Sequence, residues 1–411
     1  MFHIAVLGFG TVGSGVVEVV DVNGDIIAGN AGGPIEVKYI LDVRDFPDHP
    51  LKDKFIKDFE LIEKDPEIQV VVETIGGIKP AYEFTKRSLL AGKSVVTSNK
   101  ELVATHGAEL IKIAKQNNVN YLFEASVGGG IPIIRPMSQC LAANQIDEVC
   151  GILNGTTNYI LARMIKGGLT FEQALREAQD KGYAERNPAA DVEGGDACRK
   201  ICILAALAFG RHVYPQYVQT EGITGVTLED VAYAASDNYV IKLLGRAMRR
   251  EDGTAFVFVG PHLVDRENPL AGVEGVFNSI MVHGNAIGTA MFYGRGAGKL
   301  PTASAVVADV IDAVKHLDAR KYLDWADAGP EVVADPGEFA CQFYIRLSGE
   351  SVRTAATTVF SDLKFLENVH APLSECAFIT PEMSQKELDE KISALEKKCA
   401  VLSRMRVFSL Q

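Results

Sequence analysis

The amino terminus carries the feature that most constrains the fold. An apolar run, F-H-I-A-V-L, leads directly into G-F-G-T-V-G-S-G, where three glycines stand in G-x-G-x-x-G spacing. This pattern is typical of a strand that enters a phosphate-binding loop and then a helix, although a plain glycine-rich turn is the alternative. Glycine permits the tight turn, and the helix N-terminus offers N–H groups to a pyrophosphate. We expect a dinucleotide to contact the loop residues Gly8, Phe9, Gly10, Thr11, Val12 and Gly13.

Polar residues stand where the following apolar runs end. The run I-E-V-K-Y-I-L ends at Asp42, where folds of this kind commonly place an acid that bonds the adenosine ribose. Asp42 favours NAD, whereas Arg44 can accept the 2′-phosphate of NADP, so the sequence leaves the choice open. Two later runs end at Thr74 and Lys100. Because ligands bind at such strand ends, Lys100 is a candidate contact of nicotinamide or substrate, with an ordinary loop lysine as the alternative.

Four ionisable residues gather in the segment G-Y-A-E-R-N-P-A-A-D-V-E-G-G-D-A-C-R-K. They are Glu185, Asp191, Asp196 and Lys200. Asp196 stands at a predicted helix N-cap, and Lys200 follows one turn later on the same face of an apolar helix. A buried lysine beside an aspartate is suited to proton transfer, while an ion pair without a chemical role is the alternative.

The order of strands and helices predicts an α/β protein of three domains. A Rossmann-type dinucleotide-binding domain covers 1–134 and is completed by a returning helix at about 301–325. A mixed α+β domain for catalysis and dimerisation covers 135–300. The tail, 338–411, has the order β-α-β-β-α-β of a ferredoxin-like domain and is expected to fold separately.

Composition excludes several classes of partner. The chain has 53 acidic and 41 basic residues, and its net charge is −12. We therefore expect no binding to nucleic acid or to a membrane surface, and a small molecule is the expected partner. The seven scattered cysteines favour a reduced, cytoplasmic protein. We expect neither a signal peptide nor a membrane span.

Several motifs occur in one order, and together they resemble the homoserine dehydrogenase family over residues 1–325. They are the glycine loop, S-N-K, E-A-S-V-G-G-G-I-P, N-G-T-T-N-Y, the acid cluster and G-A-G-K-L-P-T-A-S-A-V. The resemblance implies NAD- or NADP-dependent interconversion of L-homoserine and L-aspartate 4-semialdehyde, a step of threonine and methionine biosynthesis. It also implies a homodimer or homotetramer.

The resemblance also assigns roles to individual residues. Lys200 matches the acid/base lysine, Asp196 its acidic partner and Lys100 the other catalytic lysine. The residues implied to hold the substrate are Glu185, Asp191, Thr156 and Lys200 itself. Thr74 and Gly296 are implied cofactor contacts. A monovalent cation, Na⁺ or K⁺, is implied on the main-chain oxygens of Glu124, Val127, Gly129 and Ile131.

The tail resembles an ACT-type regulatory module. The expected D-R-P-G-like effector turn is replaced by S-G-E-S-V-R. Two interpretations remain open, a regulatory domain that no longer binds threonine and a purely structural or dimerising tail.

Two other functions remain to be weighed. A phosphorylating semialdehyde dehydrogenase needs a nucleophilic cysteine, for which Cys140 and Cys150 are the candidates near the domain junction. A non-catalytic nucleotide-sensing regulator is expected to lack the lysines and acids, and this chain has both.

Overall fold

The structure is a computed structural model that describes residues 1–319 and 321–410. By its internal contacts the chain forms two compact units. The first unit consists of Met1–Ile146, Cys202–Gln216 and Gly284–Pro330, and the second consists of Asp147–Ile201, Tyr217–His283 and Glu331–Gln411.

The strands and helices alternate along the first part of the chain. The strands are β1 (Phe2–Leu7), β2 (Ile35–Leu41), β3 (Phe55–Ile56), β4 (Ile68–Glu73), β5 (Ser94–Thr97), β6 (Tyr121–Leu122), β7 (Ile146–Ile152), β8 (Gln219–Thr220), β9 (Tyr239–Arg249), β10 (Ala255–Asp265), β11 (Phe277–Gly284), β12 (Gly288–Arg295), β13 (Ala340–Cys341), β14 (Phe343–Ser348), β15 (Lys364–Leu366), β16 (Glu375–Ile379), β17 (Met383–Ser384) and β18 (Ala400–Val407). The helices are α1 (Thr11–Val22), α2 (Gly24–Ala31), α3 (Glu60–Lys64), α4 (Ala81–Leu90), α5 (Lys100–Gln116), α6 (Gly155–Gly167), α7 (Phe171–Asp180), α8 (Ala189–Val192), α9 (Gly195–Phe209), α10 (Leu228–Ala235), α11 (Lys299–Lys315), α12 (Val352–Val359) and α13 (Gln385–Leu395).

The sheet of the first unit is parallel, in the order β3-β2-β1-β4-β5-β6. This is the doubly wound arrangement that the glycine loop predicts. Its central strands are almost wholly buried, and that is why the sequence shows them as continuous apolar runs. The carboxyl ends of β1, β2, β4 and β5 lie along one edge of the sheet, where ligands bind in this fold.

Helix α11 returns to the first unit and packs against α1. The approach is close, because a Cβ atom at Gly15 of α1 would lie 2.9 Å from the carbonyl oxygen of Lys299. The sequence predicts this helix over about 301–325, whereas the observed helix ends at Lys315. The ammonium of Lys321 donates hydrogen bonds to the carbonyl oxygens of His316 and Leu317, which satisfies acceptors just beyond the end of the helix.

The sheet of the second unit is mixed, as predicted. Its strand order is β11-β7-β9-β10-β18-β14-β16-β15, and β8 pairs with β10 in parallel. The long antiparallel hairpin of β9 and β10 forms the middle of this sheet.

The tail confirms the predicted order β-α-β-β-α-β, formed by β14, α12, β15, β16, α13 and β18. Its strands pair antiparallel in the order β18-β14-β16-β15, which is the ferredoxin-like arrangement. The structure does not separate 338–411 from the rest of the second unit, however. Strand β18 continues the sheet beside β10, and Met248 and Phe258 share one apolar core with Phe343 and Phe378. A shared sheet and core join the tail to the second unit, which corrects the expected separate module.

The other predicted domain boundaries also differ from the bounds of the two compact units. The first unit extends to Ile146 instead of residue 134. It also includes Cys202–Gln216, which lies within the predicted middle domain, and Gly284–Pro330, which begins in that domain and ends beyond it. None of the described helices is long and apolar enough to span a membrane.

Candidate active site

The glycine loop after β1 is held in a tight turn. Gly8 has a φ of +89°, which favours glycine, and a Cβ atom at Gly13 would lie 1.9 Å from the carbonyl oxygen of Gly8. The Thr74 hydroxyl, at the end of β4, donates to the carbonyl oxygens of Leu7 and Gly8 at 3.0 and 2.9 Å. Thr74 therefore supports the loop from the neighbouring strand. The N-cap residue of α1 is Gly10, which has no side chain to accept a hydrogen bond from the first N–H groups of the helix. These N–H groups can therefore bind a phosphate.

Asp42, at the end of β2, is bound to the same loop. Its carboxylate accepts a hydrogen bond of 2.7 Å from the backbone N–H of Phe9. It also accepts from Nε and Nη2 of Arg44, at 3.0 and 2.9 Å. The Arg44 hydrogen bonds are the main reason why the pKa of Asp42 lies far below its usual range. Asp42 and Arg44, which the sequence treats as alternatives, thus form one ion pair beside the glycine loop.

Glu73 is a buried carboxylate that the sequence analysis missed. It ends β4, is fully buried and accepts hydrogen bonds from the Thr97 hydroxyl at 2.6 Å and the Ile75 N–H at 2.7 Å. Burial raises its pKa. The signal was a charged residue at the end of the largely apolar run I-Q-V-V-V-E. Glu73 ties the loop after β4 to the end of β5.

Lys100 is the first residue of α5, and only Ser98 and Asn99 separate it from β5. The side chain of Asn99 caps this helix by accepting from the Leu102 N–H. Lys100 is half-buried, at the sheet edge where the glycine loop also lies. The structure therefore brings Lys100, Thr74, Asp42 and the loop to the same edge, as predicted.

The segment after β6 supplies the carbonyl groups of the expected cation site. Gly128 and Gly129 both have positive φ angles, which turn the backbone sharply. In the described part of the chain, the carbonyl oxygens of Val127, Gly129 and Ile131 accept no hydrogen bond, and that of Glu124 accepts only a long one of 3.5 Å. Oxygen atoms with this freedom fit a monovalent cation. Gly296 lies against this turn, because a Cβ atom at Gly129 would meet its carbonyl oxygen at 2.5 Å.

A buried acidic cluster fixes the turn. The Glu124 carboxylate accepts from three consecutive N–H groups, those of Ile133, Ile134 and Arg135, at 2.6 to 2.8 Å. Asp309 of α11 accepts from the Glu124 N–H at 2.8 Å and from Arg135 at 2.5 Å. Burial, with the nearby Glu124, raises the pKa of Asp309 to about 8. Sequence reasoning used only the main chain of Glu124 and did not identify Asp309 or Arg135.

In the second unit, Lys200 and Asp196 form the predicted pair. Helix α9 begins at Gly195, so Asp196 lies in its first turn and not at its N-cap. The Lys200 ammonium donates to Asp196 at 2.6 Å and to the carbonyl oxygen of Leu153 at 2.7 Å. Only 8% of Lys200 and 4% of Asp196 are exposed. The pair is thus a buried, oriented ammonium–carboxylate group.

Asn154 joins the other acids to this pair. Its side-chain amide donates to Asp191 at 2.7 Å and to Asp196 at 2.8 Å, while its carbonyl oxygen caps α6. Burial, and then the charge of Asp196, raise the pKa of Asp191. The buried Thr156 hydroxyl donates to the carbonyl oxygen of Tyr183 at 2.7 Å. The motif N-G-T-T-N-Y contains Asn154, but sequence analysis gave it no role.

Glu185 is placed differently from the other acids. It lies on the exposed loop between α7 and α8, and its carbonyl oxygen accepts from the Gln179 side chain. Within the described residues, its carboxylate makes no ion pair with Lys200, which pairs with Asp196. The structure therefore brings three of the four predicted ionisable residues together and leaves Glu185 on the surface.

Of the two candidate nucleophilic cysteines, Cys150 lacks an activating environment. Cys150 lies in β7, and its complete burial raises the pKa of its thiol, which suppresses the thiolate. Cys140 is exposed. This favours the lysine and acid cluster over a thiol as the chemical centre.

A doubly wound parallel sheet with a glycine loop, together with a buried ammonium–carboxylate pair in the second unit, defines a dinucleotide-dependent oxidoreductase. Residues 8–124 match the family described as "Homoserine dehydrogenase, NAD binding domain", and residues 132–311 match "Homoserine dehydrogenase". The chain belongs to the homoserine dehydrogenase family, and it is an NAD(P)-dependent oxidoreductase of that family.

Similar proteins span the whole chain. A homoserine dehydrogenase of Pseudomonas aeruginosa is 38% identical and covers 96% of this chain and 95% of its own length. One from Synechocystis is 47% identical over 76% of this chain and 73% of its own. The crystal structure of a homoserine dehydrogenase from Thiobacillus denitrificans is 36% identical, with a TM-score of 0.90 over 100% of this chain and 99% of that chain.

Proposed function

We propose that Lys200 is the acid/base of the interconversion of L-homoserine and L-aspartate 4-semialdehyde, with Asp196 as its partner. The observation that carries the proposal is the placement of the Lys200 ammonium, which Asp196 and the Leu153 carbonyl orient inside a buried cluster. When bound, NAD(P) supplies the hydride chemistry. During oxidation the neutral Lys200 amine takes the hydroxyl proton, and during aldehyde reduction the ammonium returns a proton to the oxygen.

The dinucleotide site of the first unit is assigned to the edge of the parallel sheet. The glycine loop, supported by Thr74, receives the pyrophosphate, and the Asp42–Arg44 pair lies where the adenosine ribose is expected. Lys100 and Gly296 complete the proposed cofactor contacts. Lys100 is also the second catalytic lysine in this proposal.

A monovalent cation, Na⁺ or K⁺, is proposed on the main-chain oxygens of Glu124, Val127, Gly129 and Ile131. The turn has carbonyl oxygens without hydrogen bonds among the described residues, and the Glu124 side chain and Asp309 fix its backbone. A bound cation would supply a positive charge that holds this turn in place.

The exposed face of β12 supports the proposal of a homodimer or homotetramer. Ile287, just before the strand, and Met291 and Tyr293 within it are all exposed. Met291 and Tyr293 are two residues apart in the strand and therefore lie on the same face, and Ile287 lies in the turn that precedes it.

We propose that Glu185 and Asp191 hold the amine of homoserine. Replacing Glu185 with alanine is expected to raise the KM for L-homoserine about ten- to a hundredfold and to change kcat little. This increase corresponds to the loss of one hydrogen bond to a charged group. Steady-state kinetics at saturating cofactor measure this effect. Glu193→Ala, an exposed acid near the same cluster, is the matched control. An unchanged KM in Glu185→Ala would refute the assignment.

We propose that the enzyme uses NAD at least as well as NADP, because the Asp42 carboxylate lies beside the loop and repels a 2′-phosphate. Replacing Arg44 with alanine is expected to lower kcat/KM for NADP more than for NAD. The guanidinium is more than half exposed, so it can reach a phosphate while the Asp42 pair is intact. Lys38→Ala, which removes a surface cation of β2, is the control.

The opposite result has a clear signature. If the wild-type enzyme strongly prefers NADP and this preference collapses in Arg44→Ala, Arg44 and not Asp42 determines the cofactor. Initial rates with each cofactor at fixed L-homoserine decide between the two residues.

A further inference from the structure

Lys242 of β9 is a buried cation without a carboxylate partner. Only 2% of the residue is exposed, and the described residues give it no ion pair. Its ammonium donates to the side-chain oxygen of Asn158 at 3.1 Å and to the carbonyl oxygen of Val273 at 2.5 Å. Burial lowers the pKa of Lys242 to about 8, although the charge of Glu274 acts in the opposite direction. A buried charge without a counterion is costly, so its two contacts indicate what the lysine does.

Asn158 of α6 binds the loop that leads into β11. Its side-chain nitrogen donates to three carbonyl oxygens of this loop, those of Val273 at 3.2 Å, Gly275 at 3.1 Å and Phe277 at 3.2 Å. The oxygen of the same amide accepts from Lys242, so the lysine fixes which way the amide points. Lys242 and Asn158 therefore hold residues 273–277, the clamp loop, from inside the protein.

The clamp loop contacts the first turn of α6. A Cβ atom at Gly155 would lie 2.6 Å from the carbonyl oxygen of Val276, so the two backbones touch with no room for a side chain. The Asn158 N–H donates to the Asn154 carbonyl oxygen, which places Asn158 one helical turn after Asn154. A displaced clamp loop therefore removes the support behind the turn that begins at Asn154.

Asn154 connects this turn to the acid cluster, because its amide donates to Asp191 and to Asp196. Burial and the charge of Asp196 raise the pKa of Asp191. The groups that oppose them are the Asn154 amide, the Lys200 ammonium and the Thr156 hydroxyl. If Asn154 moves away, the Asp191 carboxylate loses a donor that stabilises its charge.

We propose that Lys242 and Asn158 are positioning residues of the active site. They hold the clamp loop against the first turn of α6, and that turn keeps the Asn154 amide on Asp191 and Asp196. The kinetic consequence rests on the function proposed above, in which Asp191 holds the substrate amine. The positioning itself does not, and it is tested without turnover.

Amide hydrogen exchange of the full chain, followed by mass spectrometry, tests the positioning. Lys242→Met keeps the length of the side chain and removes its charge and donors. Exchange in the first turn of α6 and in α8 is expected to become at least about tenfold faster. Asn158→Asp, which keeps an oxygen for Lys242 but loses the donor to the clamp loop, is expected to have the same effect. It decides the question if Lys242→Met does not fold.

Two control variants are expected to leave exchange in these segments unchanged. Lys166→Ala removes the exposed ion pair between α6 and Glu274 of the clamp loop. Lys93→Met removes a buried lysine of the first unit whose partners are also carbonyl oxygens. Unchanged exchange in the folded Lys242 and Asn158 variants, or an equal increase in Lys93→Met, overturns the positioning role.

The pH profile of kcat/KM for L-homoserine tests the consequence for the site. Asp191 must be ionised to hold the substrate ammonium, and its pKa rises when Asn154 no longer donates. In Lys242→Met the acidic limb of the profile is therefore expected to move to higher pH by about 0.5 or more. The KM is expected to rise at least about fivefold, and kcat is expected to fall by a smaller factor. A loss of stability alone would not move this limb.

The outcomes separate the two proposals. Faster exchange in Lys242→Met together with a wild-type KM and a wild-type acidic limb overturns the link from the clamp loop to Asp191. An unchanged KM in Asp191→Asn refutes instead the function proposed for Asp191, and the exchange experiment then decides the positioning role by itself.

Discussion

Replacing Lys200 with alanine is expected to lower kcat by about 10²- to 10⁴-fold in both directions of the reaction, the usual contribution of a general acid/base. Helix α9 tolerates alanine, which has the highest helix propensity. The change removes the nitrogen atom that takes the hydroxyl proton or returns it in the proposed mechanism. Stopped-flow or steady-state rates at saturating L-homoserine and cofactor measure the loss.

Two controls separate chemistry from folding. Lys200→Arg keeps the charge beside Asp196 but does not exchange a proton near neutral pH, so its kcat is expected to fall as well. Lys166→Ala removes an exposed lysine of the same unit, paired with Glu274, and is expected to leave kcat unchanged. Thermal unfolding checks that each variant is folded. Near-normal turnover by folded Lys200→Ala would remove Lys200 from the mechanism.

Replacing Gly13 with alanine is expected to weaken dinucleotide binding about ten- to a hundredfold. The new Cβ atom would lie 1.9 Å from the Gly8 carbonyl oxygen and 2.8 Å from the Thr74 hydroxyl oxygen, so the loop must move. Overpacking of this kind costs about 1–3 kcal/mol, which corresponds to that change in affinity when the loop is displaced. Fluorescence titration with NADH or NADPH measures the dissociation constant.

Gly29→Ala is the matched control, because Gly29 lies in α2 of the same unit and a Cβ atom added there would meet nothing within 4 Å. Its affinity is expected to equal that of the wild type. Unchanged affinity in Gly13→Ala would mean that the close turn at Gly8 is not required for the cofactor.

Local patterns were sufficient for much of the fold. The parallel strands of the first unit are continuous apolar runs, and the glycine loop fixes which end of β1 faces the ligand. In the tail, Ser384 and Glu387 form a capping box with the S-x-x-E spacing, and α13 buries Leu388, Ile392 and Leu395, which follow one another at helical spacing. These features depend on neighbours within a few residues, so the sequence shows them directly.

The union of the tail with the second unit could not be predicted in this way. It depends on β18 pairing with β10 and on Phe258 packing with the tail, and neither contact has a local signal. Each strand has an apolar pattern that is equally compatible with a separate sheet. Only the long-range pairing distinguishes the two arrangements.

The candidate site shows the same limit. The Asp196–Lys200 contact follows from helical spacing of four residues, and it was predicted. Asn154 reaches Asp191 and Asp196 across 37 and 42 residues of sequence, and Asp309 reaches Glu124 across 185. One sequence carries no information on such partners, so the polar residues that orient the site were missed.

The most direct measurement is the initial rate of NADH or NADPH formation by the purified full chain supplied with L-homoserine. The structure and the family predict that the wild type forms the reduced cofactor and L-aspartate 4-semialdehyde in equal amounts, and that Lys200→Ala does so at least about a hundredfold more slowly. A folded wild-type protein that binds the dinucleotide but forms no reduced cofactor from L-homoserine would contradict the account.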